Sequence, residues 1–344
     1  MSVQGPVLDR ALLDELTQPG FRLPRLINWL MTEVWTMDRY RAVGQKPAEY
    51  LLQGETLVHH RETLLTLAGE SLYDELAAAP PPNRSIRAFL DQYPGASVVI
   101  LDGCSIRELP RLAELAAASG RPILEQSYGF AAVPSETEIF IGQRMGLGLP
   151  PISPSDLPGR RELREQGIQA HWIRQPTDQI RIPEGTETVL LWMRFPDMRF
   201  MDTLAATAAL FDSIWDMLQT VWIRTVQKLP QARPVLVTSD HGYIFLGPGL
   251  SEPRLNGVDR PLEGRRYREF SSAEELPEKR PGLWIDPARR LAVIAGRVHN
   301  RPQATSPSNS IYRHGGLSLM EMLTPWLVLG PKETQHETKN RHAN

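Results

Sequence analysis

The chain has 344 residues, a formal net charge of −2 and a single cysteine, Cys104. That length fits one large α/β domain with a smaller region beside it, and so small a net charge excludes a protein that binds polyanions through overall charge. One thiol excludes intrachain disulfides and multi-cysteine metal sites; with no apolar run of membrane-spanning length and no signal-peptide pattern, the sequence reads as cytoplasmic, with no membrane partner.

In chain order, residues 8–79 repeat apolar positions at helical spacing, as at Leu12, Leu13 and Leu16 and again at Leu26, Ile27 and Leu30, which predicts three or four helices. Pro80, Pro81 and Pro82 close this part, and a further helix around Ile86–Tyr93 leads onward. The division is therefore 1–90, an N-terminal helical region; 91–330, the main domain; and 331–344, a polar tail. Ser97–Leu101 is a continuous apolar, β-branched run, the pattern of a strand buried on both faces, and it ends at Asp102-Gly103. Ser105 with Glu108, and Ser135 with Glu138, have capping-box spacing and predict helix starts; the second puts Thr137 in a first turn, where backbone N–H groups favour an anion.

Thr188–Met193 is a second buried strand, running on to Pro196-Asp197. A long amphipathic helix is expected over Thr203–Leu229, then a third strand over Val235–Val237 that ends in Ser239-Asp240-His241-Gly242. Strands separated by helices predict an α/β fold with a doubly wound, mostly parallel sheet. Farther on, Gly282–Asp286 and Arg290–Ala295 read as a β-hairpin. Arg265 and Arg266 lie in a charged, proline-rich segment, either as a phosphate clamp or as part of a solvated loop. His314 stands on a Gly315-Gly316 turn before a third capping-box pair, Ser318 and Glu321.

Three buried strands thus each lead to an aspartate: Asp102, Asp197 and Asp240. Singly, an aspartate there caps a turn. Parallel strands, however, present their carboxyl ends on one edge of the sheet, so the three carboxylates can converge. With His241 and His314 they form a nitrogen and oxygen donor set suited to zinc or manganese. A hydroxyl such as that of Thr137, placed beside such an ion, can be activated to attack phosphorus.

The ordered set Asp102, Pro-Ser-Glu-Thr137, Pro-Asp197, Ser-Asp240-His241-Gly and His314-Gly-Gly resembles the alkaline phosphatase superfamily. Within it, the chain looks most like the PglZ domain of bacterial phage-exclusion (BREX) defence systems. Ser239-Asp240-His241-Gly242-Tyr243 and the run from His314 to Pro325 carry most of that resemblance, which covers about 97–330; Asp102 to Glu108 is similar to the family's first metal-binding segment. The resemblance implies an alkaline-phosphatase-like fold and two adjacent divalent ions, usually zinc, with manganese as the other choice. Asp102, Thr137, Asp240 and His241 would hold one ion, and Asp197 and His314 the other. It also implies a Thr137 nucleophile, a phosphothreonine intermediate and a phosphoester substrate such as a nucleotide or nucleic acid. The chain departs from the pattern at Met201, where many members carry a histidine; the neighbouring Asp202 substitutes as ligand, or the second site is weak or empty. The competing reading is a scaffold subunit that acts by binding other defence-system proteins.

Overall fold

Consecutive apolar residues build the centre of the sheet because both faces of each central strand are covered. The computed structural model describes residues 22–68, 71–78, 84–147, 152–182, 188–201, 208–246, 262, 265–298 and 312–332. The strands are β1 (Ser97–Leu101), β2 (Ile123–Phe130), β3 (Ile168–Ile173), β4 (Thr188–Met193), β5 (Val235–Thr238), β6 (Ile244–Phe245), β7 (Tyr267–Glu269), β8 (Leu283–Asp286), β9 (Leu291–Ile294), β10 (Tyr312–Arg313) and β11 (Leu323–Leu329). Six of them form one sheet in the order β2-β11-β5-β1-β4-β3. β1 runs parallel to β4 and β5, β3 runs parallel to β4, and β11 runs antiparallel to β5 and β2. The fold is α/β, with a mostly parallel, doubly wound sheet flanked by helices.

Side chains alternate across a strand, so β1 feeds two cores. Val99 and Leu101 join Val189, Leu191, Val237, Phe211, Ile214 and Leu218 on one face. Val98 and Ile100 join Leu190, Trp192, Leu236, Phe89 and Phe140 on the other. The expected long helix is Ala209–Arg224, followed by a short 3-10 turn at Val226–Lys228; residues 202–207 lie outside the described residues. The hairpin is present as β8 and β9, and β7 adds a third strand from the segment that read as a charged loop or clamp.

The N-terminal region is helical, with helices at Arg22–Trp29, Met37–Ala42, Pro47–Ala68 and Ser71–Ala78 and a π-turn at Leu30–Val34. The part of the sequence pattern before residue 22, the stretch 79–83 and the tail after 332 lie outside the described residues. These helices share a core with the sheet: Leu51, Val58 and Leu72 belong to the same apolar cluster as Val99 and Val237. Polar contacts reinforce the join. Glu55 receives Arg107 Nε at 2.6 Å and also pairs with Arg297, all three side chains being buried. Breaking such a pair leaves an uncompensated buried charge and costs about 3–5 kcal/mol. Among the described residues, no helix is long and apolar enough to cross a membrane.

Glu62, on the Pro47–Ala68 helix, is buried and accepts the Leu319 N–H at 2.8 Å. Burial raises its pKa from 4.5 to about 7. A carboxyl whose folded pKa is raised contributes stability that is fully present below the unfolded value and is lost as pH rises through the folded one. Urea unfolding should therefore show stability falling between about pH 4.5 and pH 7 on this account, by on the order of 3 kcal/mol. Glu62→Gln keeps the acceptor and removes the titration, so its stability should fall less over that window. Equal pH slopes for the two proteins would refute this assignment.

Candidate metal centre

Because β5, β1 and β4 are adjacent and parallel, their carboxyl ends open on the same edge of the sheet. Asp102 follows β1 directly, Asp240 lies just past β5, and Asp197 begins a short helix, Asp197–Met201, after β4. The loops are tied together by backbone: Asp102 N–H donates to Met193 O, and Asp197 N–H donates to Asp102 O, each at 2.9 Å. Gly103 makes this closeness possible. Its φ of +76° suits glycine, and an added Cβ would lie 3.0 Å from the Asp197 Cβ. Its N–H donates to Asp240 Oδ1 at 3.1 Å.

His241 Nδ1 lies 2.9 Å from Gly242 O, and a proton assigned to Nδ1 by that contact leaves the Nε2 lone pair facing inward. Nε2 is 3.4 Å from Thr137 Oγ1, 3.5 Å from Asp240 Oδ2 and 3.7 Å from Asp102 Oδ1. The Thr137 hydroxyl donates to Asp240 Oδ2 at 2.6 Å. Beside this group, His314 Nε2 is 3.5 Å from Asp197 Oδ1, and the His241 and His314 rings stack with centroids 4.0 Å apart. Donor atoms of Asp102, Asp240 and His241 lie within 4.8 Å of one another, and so do those of Asp197, His241 and His314. His241 is common to both sets.

The electrostatics ask for positive charge. Burial, followed by the nearby Asp240 and Asp197, holds the Asp102 carboxyl well above the usual carboxylate range. Asp102 Oδ2 accepts the Trp192 indole N–H at 3.1 Å, but buried Oδ1 has no hydrogen-bond partner among the described residues. An orphaned carboxylate oxygen aimed at a second carboxylate and an imidazole lone pair fits a divalent cation well. At His314, burial opposes the charged form, but the carboxylates of Asp197 and Glu136 outweigh it and raise the pKa.

Glu136 escaped the sequence reading. Its Oε2 lies 3.7 Å from His314 Nδ1, which also faces Ser135 O at 3.2 Å. A carboxylate behind a ligating imidazole fixes the ring and raises its basicity. The available signal was an acid directly before Thr137. The capping box expected from Ser135 and Glu138 does not form: the Thr137–Arg144 helix has Glu136 at its N-cap without a side-chain bond. Ser135 Oγ instead donates to Gly316 O and accepts the Gly315 N–H, each at 2.9 Å, which clamps the His314 turn against the Thr137 loop. The Ser105 and Glu108 side chains do meet, at 3.0 Å, yet the helix there starts only at Leu109.

The reading of Arg265 and Arg266 as a phosphate clamp or a solvated loop needs correction at Arg266. Arg265 is exposed, but Arg266 is buried and spends its guanidinium on Glu321, with Nε to Oε1 at 2.6 Å and Nη2 to Oε2 at 2.8 Å. Glu321 Oε1 also accepts the Gly316 N–H at 2.8 Å, so Arg266 braces the His314 turn. That also explains the third capping box: Ser318 caps Glu321 N–H, while the Glu321 carboxylate faces Arg266 instead. Asp202 and the side chain of Met201 lie outside the described residues.

Comparison with protein-family models and with curated proteins finds no match. Among solved structures, murine ectonucleotide pyrophosphatase/phosphodiesterase 5 is similar with a TM-score of 0.45 and 13% identity, over 69% of this chain and 88% of its own. An inactive threonine-to-alanine variant of it, in complex with AMP, gives 0.44 and 12% over the same shares. A likeness this slight carries no argument about what this chain does.

If the cluster is a metal centre, Asp240→Ala should lower zinc or manganese affinity by about 10–100-fold or more. Equilibrium dialysis with metal analysis measures this, and wild-type metal content in the folded variant would contradict it.

Proposed function

We propose that the chain is a metal-dependent phosphoester hydrolase that uses Thr137 as its nucleophile. The observation that supports it most is the Thr137 hydroxyl, 2.6 Å from Asp240 Oδ2 and 3.4 Å from His241 Nε2, at the start of a helix. Divalent ions, zinc or manganese, held by Asp102, Thr137, Asp240 and His241 and by Asp197 and His314, would supply Lewis-acid charge at the hydroxyl and at the phosphoryl oxygens. Asp240 Oδ2 holds the hydroxyl proton and fixes the direction of the Thr137 Oγ1 lone pairs. The first-turn N–H groups of the Thr137–Arg144 helix, which lack a side-chain cap, favour an anionic phosphoryl group in front of them. Glu136 orients His314, and the Asp102 loop is held by Trp192. Attack forms the Thr137 O–P bond as the bond to the leaving oxygen breaks, the Thr137 proton passing by way of Asp240 Oδ2 to that oxygen so that it departs as an alcohol. Water then cleaves the phosphothreonine, releasing the phosphoryl group as phosphate or its monoester and restoring the hydroxyl.

A nucleotide or nucleic acid is the phosphoester substrate proposed, and a PglZ-type role in phage defence, in the cytoplasm and among other defence proteins, is the biological setting. The setting rests on the Ser239–Tyr243 and His314–Pro325 motifs. A scaffold with little turnover is the second reading, favoured by Met201 standing where a histidine ligand is expected.

Thr137→Ala should retain its fold and lower hydrolysis of a chromogenic phosphodiester on the order of 10³-fold or more, while Thr137→Ser keeps a measurable fraction. A Thr137→Ala protein as fast as wild type would rule out this nucleophile. A metal-loaded wild type that hydrolyses no phosphoester would favour the scaffold.

A further inference from the structure

Ser135 sits two residues before Thr137, is fully buried, and has no step in the reaction proposed above. It meets three successive residues of the turn that carries His314. The Ser135 hydroxyl donates to Gly316 O and accepts the Gly315 N–H, each at 2.9 Å, and its backbone O faces His314 Nδ1 at 3.2 Å. A proton assigned to Nδ1 by that contact leaves the Nε2 lone pair toward Asp197 Oδ1, 3.5 Å away. The Gly316 N–H in turn donates to Glu321 Oε1 at 2.8 Å. Among the described residues neither glycine has a backbone hydrogen-bond partner, so side chains decide where this turn sits. Gly315 permits the approach: its φ is +95°, and a Cβ there would run into Glu136 Oε1.

These contacts link the loop of the nucleophile to the turn of a candidate ligand. Asp102, Asp240 and His241, with Thr137 beside them, form one donor group, and Asp197, His241 and His314 form the other. Cutting the Ser135 contacts leaves the first group its own ties: Thr137 donates to Asp240 Oδ2 at 2.6 Å, and the Gly103 N–H donates to Asp240 Oδ1 at 3.1 Å. In the second group Asp197 keeps its N–H on Asp102 O at 2.9 Å, whereas His314 loses the hydroxyl that fixes its turn. We propose that Ser135 is a positioning residue for His314, setting the affinity of the ion at Asp197 and His314 and leaving the ion at Asp102, Asp240 and His241 nearly unaffected. This rests on the metal-dependent reading above and gives its second ion a support from the nucleophile loop. Groups that orient a ligating imidazole from behind typically carry about 10–100-fold of metal affinity.

Equilibrium dialysis of the full chain against zinc tests this, with His314→Ala marking which ion depends on His314. Ser135→Ala should weaken that ion about 10-fold or more and the other by less than about 3-fold. Ser135→Cys, close in size with a weaker donor and acceptor, should fall between, and it supplies the test if the alanine variant does not fold. Phosphodiester hydrolysis lost by Ser135→Ala at limiting zinc should be recovered as zinc is raised, which loss of a reacting group would not allow. The proposal is overturned if both ions weaken equally, if the His314-dependent ion keeps its affinity, or if wild type binds zinc and none of it depends on His314. Amide exchange of the metal-free chain separates this outcome from failure of the hydrolase reading. Ser135→Ala should speed exchange at Gly315 and Gly316 by about 10-fold and leave Leu317, bonded to Ile294 O, unchanged. If wild type binds no zinc, the hydrolase reading fails, and exchange alone decides whether Ser135 positions the turn: faster at Gly316 supports it, unchanged overturns it.

Discussion

Three buried carboxylates at one edge of a parallel sheet are the constraint around which this molecule is built. Parallel pairing of β1 with β4 and β5 forces Asp102, Asp197 and Asp240 onto the same side, and the hydrophobic faces of those strands withdraw water from them. Burial first, and then the neighbouring carboxylates of Asp240 and Asp197, raise the pKa of Asp102. The two stacked imidazoles and the orphaned Asp102 oxygen complete a candidate donor set for a cation.

The surroundings hold this set in place against its own repulsion. Behind β1, Ser239 Oγ accepts the Cys104 N–H at 2.9 Å, and Tyr243 donates to Glu108 at 2.6 Å. Arg107, stacked 4.1 Å from the Tyr243 ring, bridges from there to Glu55 on the N-terminal helices. Opposite, the Arg266–Glu321 pair braces the turn that carries His314, and Gly316 admits Arg266 where any Cβ would clash. Glu62 accepts the Leu319 N–H in the same neighbourhood. Among the described residues, the N-terminal helices give no donor to the candidate ligand groups, yet they support both flanks of the centre.

Much of this could be read from the residues, for physical reasons. Runs such as Ser97–Leu101 admit few structures other than a doubly covered strand, and strand ends in a parallel sheet have a fixed direction. Those two facts brought Asp102, Asp197, Asp240 and His241 to one place. Pairings over long separations were not readable. Nothing in Arg266 announces Glu321, 55 residues away, so a structural arginine looked like a ligand-binding one. Ser135 matched a capping box by spacing, yet its hydroxyl found a stronger use in the His314 turn, 181 residues on.

The central claim is that Asp102, Asp240 and His241 enclose a cation. Anomalous scattering from crystals of the wild-type chain saturated with zinc, collected on both sides of the zinc edge, tests it most directly. The account expects a peak within coordination distance of Asp102 Oδ1, Asp240 Oδ2 and His241 Nε2, near the Thr137 hydroxyl, at about 2.0–2.2 Å from each ligand. Ordered crystals with no peak there, and the four side chains arranged as described, would contradict it.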